Sequence, residues 1–288
     1  MERDRYNAAE LLLLASRIRR RILDMALGVG SASSHIASGL SIADIMAVLY
    51  GAVLHVDPTN PTWPERDRFI LSKGHGAMAW YAALAESGFL SDEDIGTFGG
   101  NNSKLTTHPV YLPEKGIEYA SGTLGMGLGL GVGIALAARK KNLSFQTYVL
   151  IGDGESNEGS VWEGVMAAAQ FGLGSLTAIV DVNRMQSDGK SEGIMNMGSH
   201  EDKWRAFGWE TYSAEGNDTT DLLRTFAVPR KEPEKPRAVI AHTVKGRGVS
   251  FMEHNNEWHH NRLSKAQYDS AITELTIQEK TGVRYQSR

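Results

Sequence analysis

Cysteine is absent from the 288 residues, which excludes disulfides, thiolate metal centres and cysteine nucleophiles and is compatible with a reducing compartment. Proline is sparse, with 8 residues against 41% hydrophobic and 22% charged content, the balance of a globular chain long enough for one large domain or two small ones. Neither sign of charge dominates: a net charge of -4 leaves no polybasic footprint, so neither nucleic acid nor an anionic membrane surface is expected as a partner. No apolar run approaches a membrane span. The leucine run Leu11 to Leu14 is too short for a signal core, and Arg17, Arg19, Arg20 and Arg21 fall where a secretory peptide needs its apolar region and cleavage site. Residues 1–30 therefore read as an amphipathic helix, and the protein as soluble and cytoplasmic.

The stretch from Gln146 to Gly189 organises the rest. An apolar run breaks at Gly152-Asp153-Gly154, a helix-like segment rich in small residues follows, and a second apolar run ends in Asp181-Val182-Asn183. This is a strand, helix, strand unit with oxygen ligands at both strand ends. In a parallel sheet those ends share the edge where α/β folds bind ligands. Asp153 and Asn183 supply the oxygens a hard cation such as magnesium takes, and the backbone carbonyl of Met185 can add a third, leaving other positions for phosphate and water. Gly152 and Gly154 let the backbone turn and approach such a group. Alone, the Asp of this motif has an ordinary explanation as a helix N-cap.

Other segments carry isolated histidines. His35 lies in a small-residue loop before a helix with Ile42, Ile45, Met46 and Leu49 on one face, for which Ser41 is a fair N-cap and Asp44 completes a capping box. A strand from Arg68 to Leu71 leads into Ser72-Lys73-Gly74-His75-Gly76, whose glycines clear space for a ligand beside His75. His108 stands before Pro109, which holds it on extended backbone. His259 and His260 are adjacent, a poor spacing for a metal on any regular element. Each histidine by itself reads equally as a solvated loop side chain. The glycine-dense segment 120–141 contains no G-x-G-x-x-G, so a dinucleotide site is excluded there; Gly125, Gly129 and Gly133 instead repeat every four residues, giving a helix a bare face suited to close packing. Glu158 and Glu163 begin the helix after Asp153, a favourable place for carboxylates. Two further strands are expected at 208–212 and 238–243, a polar loop at 186–200, and from Ser264 an exposed terminal helix ending in disorder.

In chain order, the His35 loop, SKGHG, THP, SGTLG, the GDG motif with Asn183 about 28 residues on, and WHH together resemble the diphosphate-binding region of the transketolase family, from about Ile18 to Arg262. The chain departs from many full-length members at Ile36-Ala37, where they carry Pro-Gly, at Gly76, where they carry Ala, and at Thr123, where they carry Pro. The alternating strands and helices independently predict an α/β fold, a parallel sheet flanked by helices, with residues 1–264 as the cofactor domain and 265–288 as a helix and tail. The resemblance implies thiamine diphosphate with Mg2+ (or Ca2+ or Mn2+), held by Asp153, Asn183 and Met185 at the metal and by His75, Gly122, Leu124, Gly152, Gly154, Glu158 and His259 at the cofactor. It implies His35, His108 and His259 as the catalytic histidines facing substrate. A full-length transketolase continues into a pyrimidine-binding domain carrying the glutamate that activates the cofactor. The chain thus resembles the N-terminal subunit of a split transketolase, moving a two-carbon ketol unit from a ketose to an aldose. The partners implied are a C-terminal subunit, a second copy of this chain, and sugars or sugar phosphates. The alternatives are the α subunit of another thiamine diphosphate enzyme, such as a 2-oxo acid dehydrogenase or a deoxyxylulose-phosphate synthase-like protein, and a noncatalytic cofactor-binding subunit.

Overall fold

The computed structural model describes residues 6–30 and 32–281; the tail expectation for 282–288 lies outside them. The chain begins with α1 (Ala8–Gly28), α2 (Ile36–Ser41), α3 (Ala43–Val48), β1 (Arg68–Leu71), α4 (Ala77–Glu86), α5 (Asp92–Gly96) and α6 (Met126–Lys140). The central unit is β2 (Thr147–Gly152), α7 (Gly159–Gln170) and β3 (Leu176–Val182), followed by a short hairpin of β4 (Met185–Gln186) and β5 (Gly189–Lys190). Then come α8 (Ser191–Ile194), α9 (His200–Ala206), β6 (Glu210–Glu215), α10 (Thr219–Ala227), β7 (Arg237–His242) and α11 (Lys265–Thr281).

Five strands lie side by side in the order β1, β2, β3, β7, β6, and every pair is parallel. Such a sheet is covered on both faces, so its inner strands β2, β3 and β7 are mostly apolar; β3 is buried along its whole length, whereas the edge strand β6 is mostly polar and partly exposed. Alternate side chains divide between two cores. Leu71, Leu150, Ile179 and Val239 face α1 to α4, α10 and α11. Ile70, Val149, Val180 and Ile240 face α6, α7 and α9.

The first helix is amphipathic as its sequence predicts. Asn7 and Glu10 form a capping box, and Leu11, Leu14, Ile18 and Ile22 make the buried stripe. At roughly 1.5–3 kcal/mol per buried side chain, that stripe outweighs the weak stability of an isolated helix. Arg19 breaks the pattern by lying buried, where it pairs with Asp44 and donates from Nε to the Arg247 carbonyl at 3.0 Å. Ser41 is not the expected N-cap. The helix already starts at Ile36, so Ser41 closes α2 and its buried hydroxyl is free to donate elsewhere. Far from being an exposed appendage, α11 folds back on α1, burying Ala271 and Leu275, with Arg20 and Ser16 bonded to Glu279.

Candidate functional site

Because the strands are parallel, the residues following β1, β2, β3 and β7 all emerge at one edge. They are Lys73, Asp153, Asn183 and Lys245. At their centre is Asp181, fully buried within β3. Its carboxylate accepts from the Lys73 ammonium, from Thr243 Oγ1, from Ser41 Oγ at 2.8 Å and from Asn183 Nδ2 at 2.8 Å. Burial pushes the Asp181 carboxyl up, but the Lys73 charge and these hydrogen bonds outweigh it and hold the group below its ordinary value. With Nδ2 committed to Asp181, the Asn183 amide has one orientation, and its Oδ1 accepts from Met185 N at 3.0 Å.

Asp153 accepts from Gly154 N at 2.8 Å on Oδ1, and from Arg184 N at 2.8 Å and Ser191 Oγ at 3.1 Å on Oδ2. Arg184 takes the left-handed conformation, φ 62, which turns the chain sharply between Asn183 and Met185. Burial, and then the nearby Asp181 charge, push Asp153 up to about 6. A carboxylate so placed is short of positive charge. Among the described residues no three His, Cys, Asp or Glu side chains cluster to hold a metal, so an ion here would rest on Asp153, the Asn183 amide, the Met185 carbonyl and oxygens of a ligand. The opposite deficit lies alongside. Lys245 is 1% exposed, contacts His259 Nδ1 at 2.8 Å and the Gln186 carbonyl at 3.4 Å, and among the described residues has no carboxylate within salt-bridge distance. Burial, and then Lys73, lower it to about 8. Buried ammonium groups lacking a full complement of acids, beside a carboxylate lacking a cation, match the charge pattern of a metal-bound diphosphate.

The histidines dispersed through the sequence converge here. The His35 ring lies 5.4 Å from His75, 5.8 Å from His108, 5.3 Å from His259 and 4.6 Å from His260, and His75 lies 5.7 Å from His259. Burial first, then the mutual repulsion of the rings and the lysines, lowers His35 to about 3 and His259 to about 4, and takes His75 well below its ordinary value. These are neutral imidazoles at pH 7, able to donate at one nitrogen and accept at the other. His35 Nδ1 is buried and has no hydrogen-bond partner among the described residues.

The other expected residues lie in varied surroundings. The glycines beside His75 do not clear space for a ligand: a Cβ on Gly74 would lie 2.8 Å from Gly122 N, and one on Gly76 3.2 Å from Ile42 Cδ1, so protein fills both places. Gly122 flanks His108, while Leu124 is 37% exposed just before α6. Gly152 and Gly154 have no left-handed conformation; at Gly154 the constraint is Gln186, whose Cγ would lie 2.7 Å from a Cβ. Glu158 is the N-cap residue of α7, exposed and without a side-chain cap bond, and Glu163 is exposed on the same helix. The buried acid of that loop is Glu155, which accepts from Ser72 Oγ at 2.5 Å, Gly125 N at 2.8 Å and Gly152 N at 3.0 Å, tying three loops together. Sequence reasoning missed Glu155, Lys73, Lys245 and Asp181. A signal existed for Asp181, an acid inside an otherwise apolar strand; the lysines gave none beyond their nearness to a histidine or a strand end.

Residues 14–284 match the family model for the transketolase thiamine diphosphate binding domain. The chain is 40% identical over 266 residues to an apulose-4-phosphate transketolase subunit of Phocaeicola vulgatus, spanning 92% of this chain and 94% of that one. It is 40% identical over 249 residues to a 6-deoxy-6-sulfo-D-fructose transketolase subunit of Clostridium sp., spanning 86% and 89%. It superposes on the crystal structure of transketolase from Campylobacter jejuni with a TM-score of 0.87 at 29% identity, covering 94% of this chain and 43% of that one. The chain belongs to the transketolase family, as its thiamine diphosphate-binding domain. It corresponds nearly end to end with separate transketolase subunits, and to less than half of the solved one-chain enzyme, the relation of an N-terminal subunit to a transketolase divided between two polypeptides.

Proposed function

We propose that the chain is the diphosphate-binding subunit of a two-chain transketolase, transferring a two-carbon ketol unit from a ketose to an aldose when joined to a C-terminal subunit. The observation that carries this reading is the meeting, at one sheet edge, of a buried Lys245 without an acid partner among the described residues beside the Asp181-paired Lys73, a cation-demanding Asp153 and a cluster of neutral histidines. Thiamine diphosphate, when bound, supplies the nucleophilic carbon and the electron sink for breaking the bond beside the ketose carbonyl. Asp153, Asn183 Oδ1 and the Met185 carbonyl hold a divalent ion, with Mg2+ the natural choice for an oxygen set shared with phosphates. Lys73, Lys245 and His75 receive the diphosphate. His35, His108 and His259 exchange protons with sugar hydroxyls and the carbonyl oxygen, as neutral imidazoles can.

The partner surface we assign to α6 and its surroundings. Met126 and Met166 are 59% and 50% exposed, Leu130 is 38% exposed, and Gly129 and Gly133 have open space where a side chain would stand. Gly125 does not belong to that bare face, since it is the left-handed residue before the helix, φ 80. Relatives whose names specify a sugar phosphate and a sulfonated sugar make anionic ketoses the first donors to try. The test mixes the chain with its C-terminal subunit, thiamine diphosphate and Mg2+, and follows ketol transfer from xylulose 5-phosphate against consumption of pyruvate. Ketol transfer that needs both chains is the expected result. Pyruvate turnover in its place overturns the transketolase reading, and full activity of the lone chain overturns the two-chain reading.

A further inference from the structure

Resting on the proposed transfer reaction, we infer that His260 is a specificity-determining residue, contacting hydroxyls of the sugar chain beyond the carbons that react. The roles above use four of the five clustered histidines. His260 is the fifth, and its ring lies 4.6 Å from His35, nearer than any other ring in the cluster.

Its place is fixed by main chain rather than by its own side chain. Ser34 and Asn261 form an antiparallel bridge, with N–H to carbonyl distances of 2.9 and 3.1 Å in the two directions. That bridge sets the residue after Ser34 beside the residue before Asn261. Buried Trp258 and the Asn255 side chain, which accepts from Glu257 N at 3.0 Å, anchor the turn that leads into it. The His260 imidazole is thus presented on a braced backbone, which a substitution of the side chain leaves in place.

The cluster is graded from inside to outside. Lys73 and Lys245 are 1% exposed, His259 touches Lys245, His35 bridges inner and outer rings, and His260 is exposed at the rim. A sugar whose reacting carbon lies among His35, His108 and His259 carries the remainder of its chain outward past His260. An imidazole offers both a donor and an acceptor, the pairing that a hydroxyl-bearing chain can satisfy. A two-carbon aldehyde ends before the rim, whereas a four-carbon aldose reaches it.

The test uses the assembled complex with one fixed ketose donor and two acceptors, D-erythrose and glycolaldehyde. In His260→Ala, the ratio of kcat/KM for erythrose over glycolaldehyde falls about tenfold, the loss expected of one or two hydrogen bonds to the longer acceptor. His260→Gln, which keeps a donor and an acceptor, recovers part of the ratio. An unchanged ratio in His260→Ala, or equal losses on both acceptors accompanied by weaker thiamine diphosphate binding in calorimetry, overturns the inference while transfer by the unsubstituted complex upholds the reaction. Absence of transfer by the unsubstituted complex overturns the reaction and this inference with it.

Discussion

Asp181 shows how one buried side chain can set the properties of several others. Its carboxylate neutralises Lys73 and, by accepting from Asn183 Nδ2, decides which atom of that amide is left for a ligand. A residue acting this way on a ligand-bearing neighbour positions rather than reacts. In Asp181→Asn the Lys73 ammonium loses its acid in a buried place, a loss of about 3 kcal/mol, read as a melting temperature lower by about 6 °C. The double variant Asp181→Asn, Lys73→Met should regain most of that stability, because no buried charge is left alone. Its thiamine diphosphate affinity, measured by calorimetry on the assembled complex, should stay depressed, because the Asn183 amide and the lysine are both compromised. Recovery of affinity together with stability would reduce Asp181 to a purely structural ion pair.

At the scale of elements, the central strand, helix, strand unit was legible because its signals are local: two apolar runs, a glycine-flanked acid between them and an amide ending the second. The histidines were legible only as a set, through their order along the chain, since nothing local separates His35 or His108 from a solvated loop residue. What the sequence could not yield was convergence. Lys73 and Lys245 stand 172 positions apart by their numbering and meet only because β1 and β7 run parallel in one sheet. The four-residue glycine repeat was likewise only partly a face, because its first member left the helix to take a left-handed cap. Gly129 remains on the open side of α6, and among the described residues nothing beyond the adjacent turns of its own helix lies within 4 Å of a Cβ. Gly129→Leu should therefore leave the lone chain as stable as before or raise its stability by up to about 1 kcal/mol through helix propensity. The same change should weaken association with a second chain by at least about tenfold, the cost of excluding a side chain from a close helix crossing. Sedimentation of the variant, alone and with the C-terminal chain, measures both; unchanged association would move the interface off α6.

At the scale of the whole molecule, buried lysines, acids and histidines collect at one edge of the sheet, and that has a consequence for its response to acid. The parallel sheet buries the strand ends under loops carrying lysines and histidines, and burial with mutual repulsion keeps His35 and His259 neutral down to about 3 and about 4. In the unfolded chain both rings protonate near their ordinary value of 6.5. For a base whose folded value is depressed, the unfolded state binds more protons in the interval, so stability is complete above about 6.5 and is lost as pH falls toward the folded values. Between pH 7 and pH 5 the linkage amounts to about 1–2 kcal/mol for each histidine, or a melting temperature lower by roughly 2–4 °C for each at this chain length. Thermal melts of the chain across that range should therefore decline toward acid. The decline should be shallower in His35→Asn, His259→Asn, which removes two of the rings that must stay neutral, by an amount that carboxylates elsewhere cannot supply because they are common to both proteins. Parallel pH profiles for the two proteins would mean that the rings protonate in place, and that the site is open enough to hydrate them.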